Sequence, residues 1–234
     1  MRLAFLQRFL SRRYADTVFD DRRDAALKQA ARLAQYKGKN PLVLGIPRGA
    51  VPMARVIAEE LAGEVDVVLV RKLRAPGNPE LAVGSVDESG WIHVADFAVS
   101  TGTEASYVEQ EKQRQLEVIR QRRALYTGGR DSIDSAGRIV IVVDDGLATG
   151  STMIAALHAL HQRQPSRLIC AVPVAPPEAT AEVAKSCDEL VCLEAPDYFY
   201  AVGQFYRHFP QVEDDEVVAA LRGGPGPGEG GGRG

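Results

Sequence analysis

The sequence predicts an α/β fold with a doubly wound, mostly parallel sheet. Apolar runs of strand length alternate with amphipathic helical segments along most of the chain, and this alternation is typical of βαβ units. The runs at 42–46, 65–72 and 139–143 are almost continuously apolar, as expected of parallel strands that are covered on both faces. Ligands of such sheets bind at the carboxyl ends of the strands, so the candidate site lies just after these runs.

The composition predicts a single soluble enzyme domain. A chain of 234 residues can bury a full core. A formal net charge of -3 gives no general reason to expect a nucleic-acid partner, and no apolar run approaches the length of a membrane span. The N-terminal MRLAFLQRFLSRRY is interrupted by Gln7 and Arg8 and has no small-residue cleavage site, so we expect no secretory signal. Three cysteines without CxxC spacing indicate reduced thiols and a cytoplasmic protein.

The first half of the chain contains a covering helix, a βαβ unit and a hairpin. We expect the helix within 20–36, the first strand at 42–46, a loop and helix closed by Gly63, and the second strand at 65–72. Right-handed crossover makes these two strands parallel. A turn-rich segment, LRAPGNPEL, precedes a hairpin centred on 88–90, and a charged helix follows at about 103–126.

The second half repeats the alternation of strands and helices. The strand at 139–143 is followed by the helical run MIAALHAL, the strand RLICAVPV, the helix PPEATAEVAKSC and the strand ELVCLEA, and DDEVVAALR predicts a last short helix. The tail GGPGPGEGGGRG cannot bury apolar surface. We therefore divide the chain into an N-terminal arm (1–18), one domain (19–221) and a disordered Gly/Pro-rich tail (222–234).

The stretch IVIVVDDGLATGSTM places two adjacent carboxylates, Asp144 and Asp145, at the end of a buried strand. A glycine-containing loop with hydroxyl side chains follows and leads into a helix, and such a helix N-terminus binds phosphate. Carboxylates would repel a phosphate unless they face sugar hydroxyls or hydrated Mg²⁺. The pattern therefore predicts a site for a phosphorylated sugar, and the lack of a Gly-Lys-Ser/Thr sequence excludes a Walker A loop.

The segment VVDDGLATGST resembles the signature of the type I phosphoribosyltransferases: hydrophobic residues, two acidic residues, a short loop, then Thr-Gly-Ser/Thr-Thr. The resemblance implies that Asp144 and Asp145 hold the ribose 2′ and 3′ hydroxyls of 5-phosphoribosyl 1-pyrophosphate and contact Mg²⁺ through the ligand or water. It also implies a flexible lid and a small C-terminal hood. The residues that would cradle the 5′-phosphate are Gly146, Leu147, Ala148, Thr149, Gly150, Ser151 and Thr152.

Two further segments resemble the parts of this family that bind pyrophosphate. GIPRGA follows the first strand; Gly49 allows a close backbone approach and Arg48 offers a charged fork, although an ordinary turn is the alternative. Arg71 and Lys72 end the predicted second strand, where strand alternation favours Lys72 as the catalytic residue. The alternative there is a solvent-facing basic pair. The segment LRAPGNPELAVGSV and the hairpin stand in the place of the lid.

The segment EAPDYFYAVGQFYRHF (194–209) stands in the place of the hood, where the family binds its base. Its aromatic residues suit stacking on a flat ring, and the candidates are Asp197, Tyr198 and Phe199. Packing of the aromatic residues against the last strand and helix is the alternative. Members that act on hypoxanthine and guanine carry an Asp where this chain has Ala148, so the chain looks less like a 6-oxopurine enzyme, although adenine enzymes share the Ala.

The resemblance implies a phosphoribosyltransferase of nucleotide salvage that uses Mg²⁺, transfers the phosphoribosyl group to a purine or pyrimidine base and forms a homodimer. The alternative is a regulator that senses the same ligand and binds nucleic acid or protein. A synthetase of the ligand is disfavoured, because the chain is too short for two such domains. The 109–123 helix interleaves both charges, which favours a solvated helix or a dimer arm over an RNA-binding face. His158 and His161 have metal-ligand spacing but no third ligand nearby.

Overall fold

The computed structural model describes residues 18–223. The predicted N-terminal arm and the predicted tail lie almost entirely outside this range. No helix between residues 18 and 223 combines the length and the apolar character needed to cross a membrane.

Fourteen principal helices and strands make up the described range. In chain order they are α1 (Arg22–Arg32), β1 (Leu42–Gly45), α2 (Ala50–Leu61), β2 (Glu64–Val67), β3 (Val70–Ala75), β4 (Asn78–Asp87), β5 (Ile92–Val94), α3 (Ala105–Thr127), β6 (Ile139–Val143), α4 (Ser151–His161), β7 (Arg167–Val174), α5 (Pro177–Val183), β8 (Glu189–Glu194) and α6 (Asp214–Arg222). The alternating order confirms the predicted α/β class.

The main sheet has five parallel strands in the order β2-β1-β6-β7-β8. Along β6, Ile141 and Val143 face one layer of helices, and Val140 and Val142 face the other. The first layer contains α1 and α2, and the second contains α4 and α5. Because every residue of β1 and nearly every residue of β6 is buried, helices cover both faces of the sheet, as the apolar runs predicted.

The predicted strand at 65–72 is wrong, because the structure divides it between two sheets. β2 ends at Val67, the Val68 N–H donates to the Gly45 carbonyl, and the chain then leaves the parallel sheet. β3 instead pairs antiparallel with β4, and β4 pairs with β5, as the predicted hairpin required. The break cannot be seen in the sequence, because the apolar run is continuous through it. The apolar residues around the break pack into two different hydrophobic clusters.

The three-stranded sheet has its own hydrophobic core against α3 and α6. Leu73 and Val86 pack there with Ile119 of α3 and Val217 of α6. The turn-rich segment 73–81 belongs largely to β3 and β4 rather than to a loop. The segment expected to form a lid is therefore a small folded sheet.

Helix α2 ends one residue earlier than Gly63 predicted. Ala62 adopts the left-handed conformation (φ 54°), which terminates the helix. Gly63 is needed for a different reason: a Cβ there would lie 2.4 Å from the carbonyl oxygen of Pro41. The glycine therefore permits a close approach of two backbone segments.

A buried ion network joins the two sheets. Asp66, at the end of β2, is fully buried and accepts hydrogen bonds from the backbone N–H groups of Val67 and Ile133. Arg123 of α3 donates to Asp66 at 2.8 Å and to both carboxylate oxygens of Glu88 in the β4–β5 turn. The turn end of the small sheet is thus attached to the edge of the parallel sheet.

Candidate functional site

The acidic pair lies where β6 ends at the carboxyl edge of the parallel sheet. Asp144 and Asp145 are half-buried, and the Asp145 N–H donates to Oδ1 of Asp144 at 2.9 Å. Burial, and then the charge of Asp145, raise the pKa of Asp144 well above its ordinary value. Two carboxylates held this close in a partly desolvated place favour ligands that donate hydrogen bonds or carry positive charge.

Arg22 of α1 forms an ion pair with Asp145, a contact that was not predicted from the sequence. Its Nε and Nη2 both lie 2.9 Å from Oδ2 of Asp145. Its Nη1 donates to the Pro210 carbonyl at 2.6 Å, and its guanidinium lies 3.8 Å from the centroid of the Phe209 ring. Since 123 residues separate Arg22 from Asp145, no local spacing could have revealed this contact.

The loop after β1 reaches the acidic pair through Gly49. A Cβ at Gly49 would lie 2.0 Å from Oδ2 of Asp145, so a larger residue there would have to displace the Asp145 carboxylate. The preceding peptide bond, between Pro47 and Arg48, is cis. The Ile46 N–H donates to the Val143 carbonyl at 3.0 Å, which ties this loop to the end of β6. The predicted juxtaposition of the two loops is confirmed.

Arg48 is engaged by carboxylates at the start of α6. Its Nη1 lies 3.3 Å from Glu213 and 3.8 Å from Asp214. Together with Arg22, Arg48 lines a cavity of about 360 Å³ whose other wall is the segment 209–212. The guanidinium predicted to bind pyrophosphate thus already has anionic partners within the protein.

The loop after the acidic pair contains two glycines that other residues could not replace. Gly146 has φ +153°, and a Cβ there would lie 2.5 Å from Cγ1 of Val202. Gly150 has φ +73°, and a Cβ there would lie 2.7 Å from Cγ2 of Val183. The two glycines therefore let the loop pack closely against the segment after β8 and against α5.

The remaining residues of the loop divide into buried and exposed positions. The Leu147 side chain is buried, and the Leu147 backbone N–H donates to the Val174 carbonyl. Both contacts anchor the loop. Ala148, Thr149 and Ser151 are exposed, and the Oγ atoms of Thr149 and Ser151 lie 3.1 Å apart. Thr152 is half-buried in the first turn of α4. Hydroxyls and helix N–H groups at this position can donate hydrogen bonds to a phosphate, and the phosphate cradle stays a prediction.

Lys72 is not at the carboxyl edge of the parallel sheet, because it belongs to β3. It lines a second cavity, of about 210 Å³, with Arg71, Arg74, and Arg122 of α3. Strand alternation predicted Lys72 alone, whereas both Arg71 and Lys72 border the cavity along the free edge of β3. Arg48 and Lys72, predicted to act together, therefore line different cavities.

The hood candidates lie in two different environments. Asp197 is exposed, Tyr198 is 81% exposed, and Phe199 packs against Phe205 with ring centroids 5.4 Å apart. Packing, the alternative stated for these aromatics, holds for Phe199. The aromatic contact to the acidic pair comes instead from Tyr206.

Tyr206 links the hood to the carboxyl edge. Its hydroxyl donates to the Asp145 carbonyl at 2.7 Å, and its ring stacks on Phe209 with centroids 4.7 Å apart. Burial, and then the charge of Asp145, raise the pKa of Tyr206, so the hydroxyl stays protonated and keeps this donor. Tyr206 and Phe209 stand in the predicted hood segment, but composition alone did not distinguish them from its exposed aromatics.

The acidic pair fits Mg²⁺ only as an indirect ligand set. In the part of the chain that the structure describes, no three His, Cys, Asp or Glu side chains form a metal cluster. Mg²⁺ commonly binds through one or two carboxylates with water and substrate phosphates, which two adjacent aspartates can satisfy. His158 is half-buried, with Nε2 3.2 Å from Oγ of Ser186, and His161 is exposed. All three cysteines are free; Cys170 is buried, and Cys187 and Cys192 are partly buried.

Comparison with known proteins agrees with this geometry. The family model described as "Phosphoribosyl transferase domain" matches residues 19–209. A protein of Mycobacterium tuberculosis, found in strains CDC 1551 / Oshkosh and ATCC 25618 / H37Rv and provisionally named a phosphoribosyl transferase, is 44% identical over 206 residues. That alignment covers 87% of this chain and 46% of the relative, so the chain spans about half the length of the curated relatives it matches.

A solved structure from Thermus thermophilus, that of TT1426, is 45% identical to this chain with a TM-score of 0.79. The match covers 87% of this chain and 97% of that one. The family match covers the acidic pair, the loop after β1 and the hood contacts of Tyr206. The chain therefore belongs to the phosphoribosyl transferase domain family.

Proposed function

We propose that this protein binds 5-phosphoribosyl 1-pyrophosphate with Mg²⁺ and transfers the phosphoribosyl group to a nitrogenous base, releasing pyrophosphate. The observation that carries the proposal is the half-buried Asp144–Asp145 pair at the end of β6, directly followed by a glycine and hydroxyl loop that opens α4. Carboxylates that need hydrogen-bond donors stand beside N–H groups that need an anion. A phosphorylated sugar satisfies both.

The two ends of the sugar phosphate have different partners. Asp144 and Asp145 accept hydrogen bonds from the ribose 2′ and 3′ hydroxyls, which stabilises Asp144 in its ionised form. The 5′-phosphate occupies the loop that ends at Ser151 and Thr152, where the helix N-terminus contributes roughly half a positive charge. Leu147 and the two glycines hold this loop in place from behind.

The reaction breaks the bond between ribose C1 and the pyrophosphate oxygen and forms a bond from C1 to a ring nitrogen of the base. The carboxylates stabilise the positive character that develops on the sugar, and Arg22 limits the charge that Asp145 places beside the departing anion. Lys72 neutralises that anion, and Arg48 contributes when it exchanges its carboxylate partners for phosphate oxygens. When bound, Mg²⁺ supplies further neutralisation of the pyrophosphate oxygens.

The acceptor is a flat nitrogenous base that enters on the hood side of Asp145. Tyr206 and Phe209 form an aromatic surface beside Arg22 there. Tyr198 and Asp197, both exposed, are available to cover or hydrogen-bond a bound ring. Ala148 disfavours a 6-oxopurine, and purine or pyrimidine bases outside that class are the expected acceptors.

The second candidate is a regulator that senses the same ligand without turnover and binds nucleic acid or protein. The ion pairs from Arg48 to Glu213 and Asp214 favour it, because ligand phosphates would compete with them and so bias the position of α6. A homodimer, a cytoplasmic location and a place in nucleotide salvage stay predictions. Light scattering after gel filtration tests the first of them.

Calorimetric titration with 5-phosphoribosyl 1-pyrophosphate and Mg²⁺ tests the proposed ligand. We expect wild type to bind and the double variant Asp144→Asn/Asp145→Asn to lose at least about tenfold in affinity. The control Glu59→Gln/Glu60→Gln removes an adjacent, exposed acidic pair at the far end of α2 and should bind normally. No binding by wild type, or normal binding by the aspartate variant, would refute the assignment.

Pyrophosphate release in a panel of purine and pyrimidine bases separates the two candidates. Release with one base establishes the transferase and names its acceptor. Ligand binding with no release from any base in the panel favours the regulator.

A further inference from the structure

The cavity between β3 and α3 concentrates positive charge. Arg71, Lys72 and Arg74 reach it from β3, and Arg122 reaches it from α3. None of the residues that line it in the described range is acidic. Its volume of about 210 Å³ is several times the ~30 Å³ that one water molecule occupies in the liquid, so it can hold a small polyanion.

Two of these cations have no counterion of their own. Between residues 18 and 223, Arg122 and Lys72 form no ion pair and no side-chain hydrogen bond with another residue. Arg122 is nevertheless half-buried. A partly desolvated guanidinium without a carboxylate is costly, which indicates that its partner is a ligand.

The neighbouring cation, Arg71, is also partly buried and is repelled by other cations of the cavity. Burial, and then the charges of Arg122 and Arg74, lower the pKa of Arg71. Its Nε donates to Oε1 of Gln115 at 3.1 Å, and the charge of Glu111 offsets only part of the effect of burial and of the two arginines. An anion in the cavity would relieve this repulsion between like charges.

Three arginines of α3 lie close together in the sequence but have different environments. Arg120 is 67% exposed and lies 3.7 Å from Glu117. Arg123 is largely buried and belongs to the ion network with Asp66 and Glu88. Only Arg122 lines the cavity. An RNA-binding face would present all three on one exposed surface, so this arrangement disfavours it and singles out Arg122.

The cavity also borders both loops of the proposed site. Pro47, from the loop after β1, and Thr152, from the first turn of α4, line it. A ligand whose sugar phosphate lies in the α4 loop can therefore extend into the basic cavity. A single phosphate group carries about −1.5 to −2 charges near neutral pH, so the two cations without counterions, Arg122 and Lys72, suit an anion of at least that charge.

We propose that Arg122 of α3 is a ligand-binding residue that holds the diphosphate group of the ligand in the β3–α3 cavity. The inference rests on the proposed function, because the diphosphate is that of the phosphoribosyl donor and of the released pyrophosphate. The planar guanidinium donates to two phosphate oxygens at once, and Lys72 and Arg71 supply charge from the opposite wall. The resemblance to the family did not point to any residue of α3.

Calorimetry on the full chain with three probes tests this assignment: inorganic pyrophosphate, 5-phosphoribosyl 1-pyrophosphate with Mg²⁺, and ribose 5-phosphate, which lacks a diphosphate. We expect Arg122→Gln to weaken binding of the first two by at least about tenfold and to leave the third unchanged. Arg122→Lys should keep part of the affinity. Arg120→Gln, a change of the same type on the exposed face of α3, should bind all three normally.

Thermal melts show whether Arg122→Gln is folded. Arg122→Lys and Arg120→Gln, which change the same helix, are the comparison in these melts. Unchanged pyrophosphate affinity in folded Arg122→Gln would overturn the inference, whether or not the phosphoribosyl ligand binds. An equal loss for ribose 5-phosphate would also overturn it, since the effect of Arg122 would then not depend on the diphosphate group. Arg122-dependent binding of pyrophosphate without binding of the phosphoribosyl ligand would support the cavity and refute the proposed function.

Discussion

Replacement of Arg123 by Met removes the cation that joins the three-stranded sheet to the parallel sheet. Arg123 donates to Asp66 at 2.8 Å, to the Val67 carbonyl at 3.1 Å and to both oxygens of Glu88. Methionine keeps much of the apolar stem, so the substitution tests the charge rather than the packing of the side chain. Two carboxylates lose their principal counterion.

The size of the effect follows from burial. Asp66 is completely buried, and the side chains of Arg123 and Glu88 are 12% and 16% exposed. Removal of one partner from such a pair typically costs about 3–5 kcal/mol of unfolding free energy. Arg130 remains 3.4 Å from Asp66, which also keeps two backbone N–H donors. We therefore expect a loss near the lower end, about 3 kcal/mol.

The loss should depend on pH. Burial raises the pKa of Glu88, while hydrogen bonding and the charge of Arg123 lower it, so removal of Arg123 raises the pKa further. A carboxyl whose pKa is raised by folding destabilises the native state above that pKa, and the penalty disappears as the pH falls through it. The deficit of Arg123→Met should therefore be larger at pH 7 than at pH 5.

Urea unfolding at both pH values measures the deficit. Arg120→Met is the control, because Arg120 lies on the same helix but is 67% exposed, and its loss should stay within about 0.5 kcal/mol. Amide exchange in β5 should accelerate in Arg123→Met, while exchange in β6 should change less. A deficit below about 1 kcal/mol, or a deficit that does not vary with pH, would refute the reasoning.

Two further predictions concern the acidic pair. Gly49→Ala places a Cβ 2.0 Å from Oδ2 of Asp145 and should reduce affinity for 5-phosphoribosyl 1-pyrophosphate at least about tenfold by calorimetry; normal affinity would show that the loop adapts freely. Asp144→Asn removes a carboxyl whose pKa is raised, so its stability relative to wild type should increase as the pH rises through that pKa. Thermal melts of the variant and of wild type at pH 4 and pH 8 check this, and a stability difference that does not shift in favour of the variant between pH 4 and pH 8 would contradict it.

The parallel sheet and the loop of the site could be predicted because their signals are local. β6 is a run of buried aliphatic residues, and its role follows from strand length and apolar character alone. The loop that follows it requires glycine at positive φ at both Gly146 and Gly150, and the hydroxyls lie next to a helix start. Each of these properties belongs to a few consecutive residues.

The contacts of the site could not be predicted because they depend on residues far apart in the chain. Arg22 reaches Asp145 only after α1 has packed on the sheet. Arg122 and Arg123 are neighbours in sequence, yet Arg122 lines a cavity and Arg123 forms the ion network between the two sheets. The break between β2 and β3 is equally invisible, since apolar residues continue through it.

The two cavities beside the loop after β1 differ in how much of their charge is compensated, and this difference predicts where the leaving group lies. On the hood side, Arg22 is paired with Asp145, and Arg48 is paired with the carboxylates that begin α6. An anion entering there must displace internal partners and meet further acidic residues of the first turn of α6. On the β3 side, Lys72 and Arg122 have no such partners among the described residues. We therefore expect the diphosphate of the proposed ligand to lie mainly against β3 and α3, which would leave the hood side of Asp145 open to the proposed acceptor.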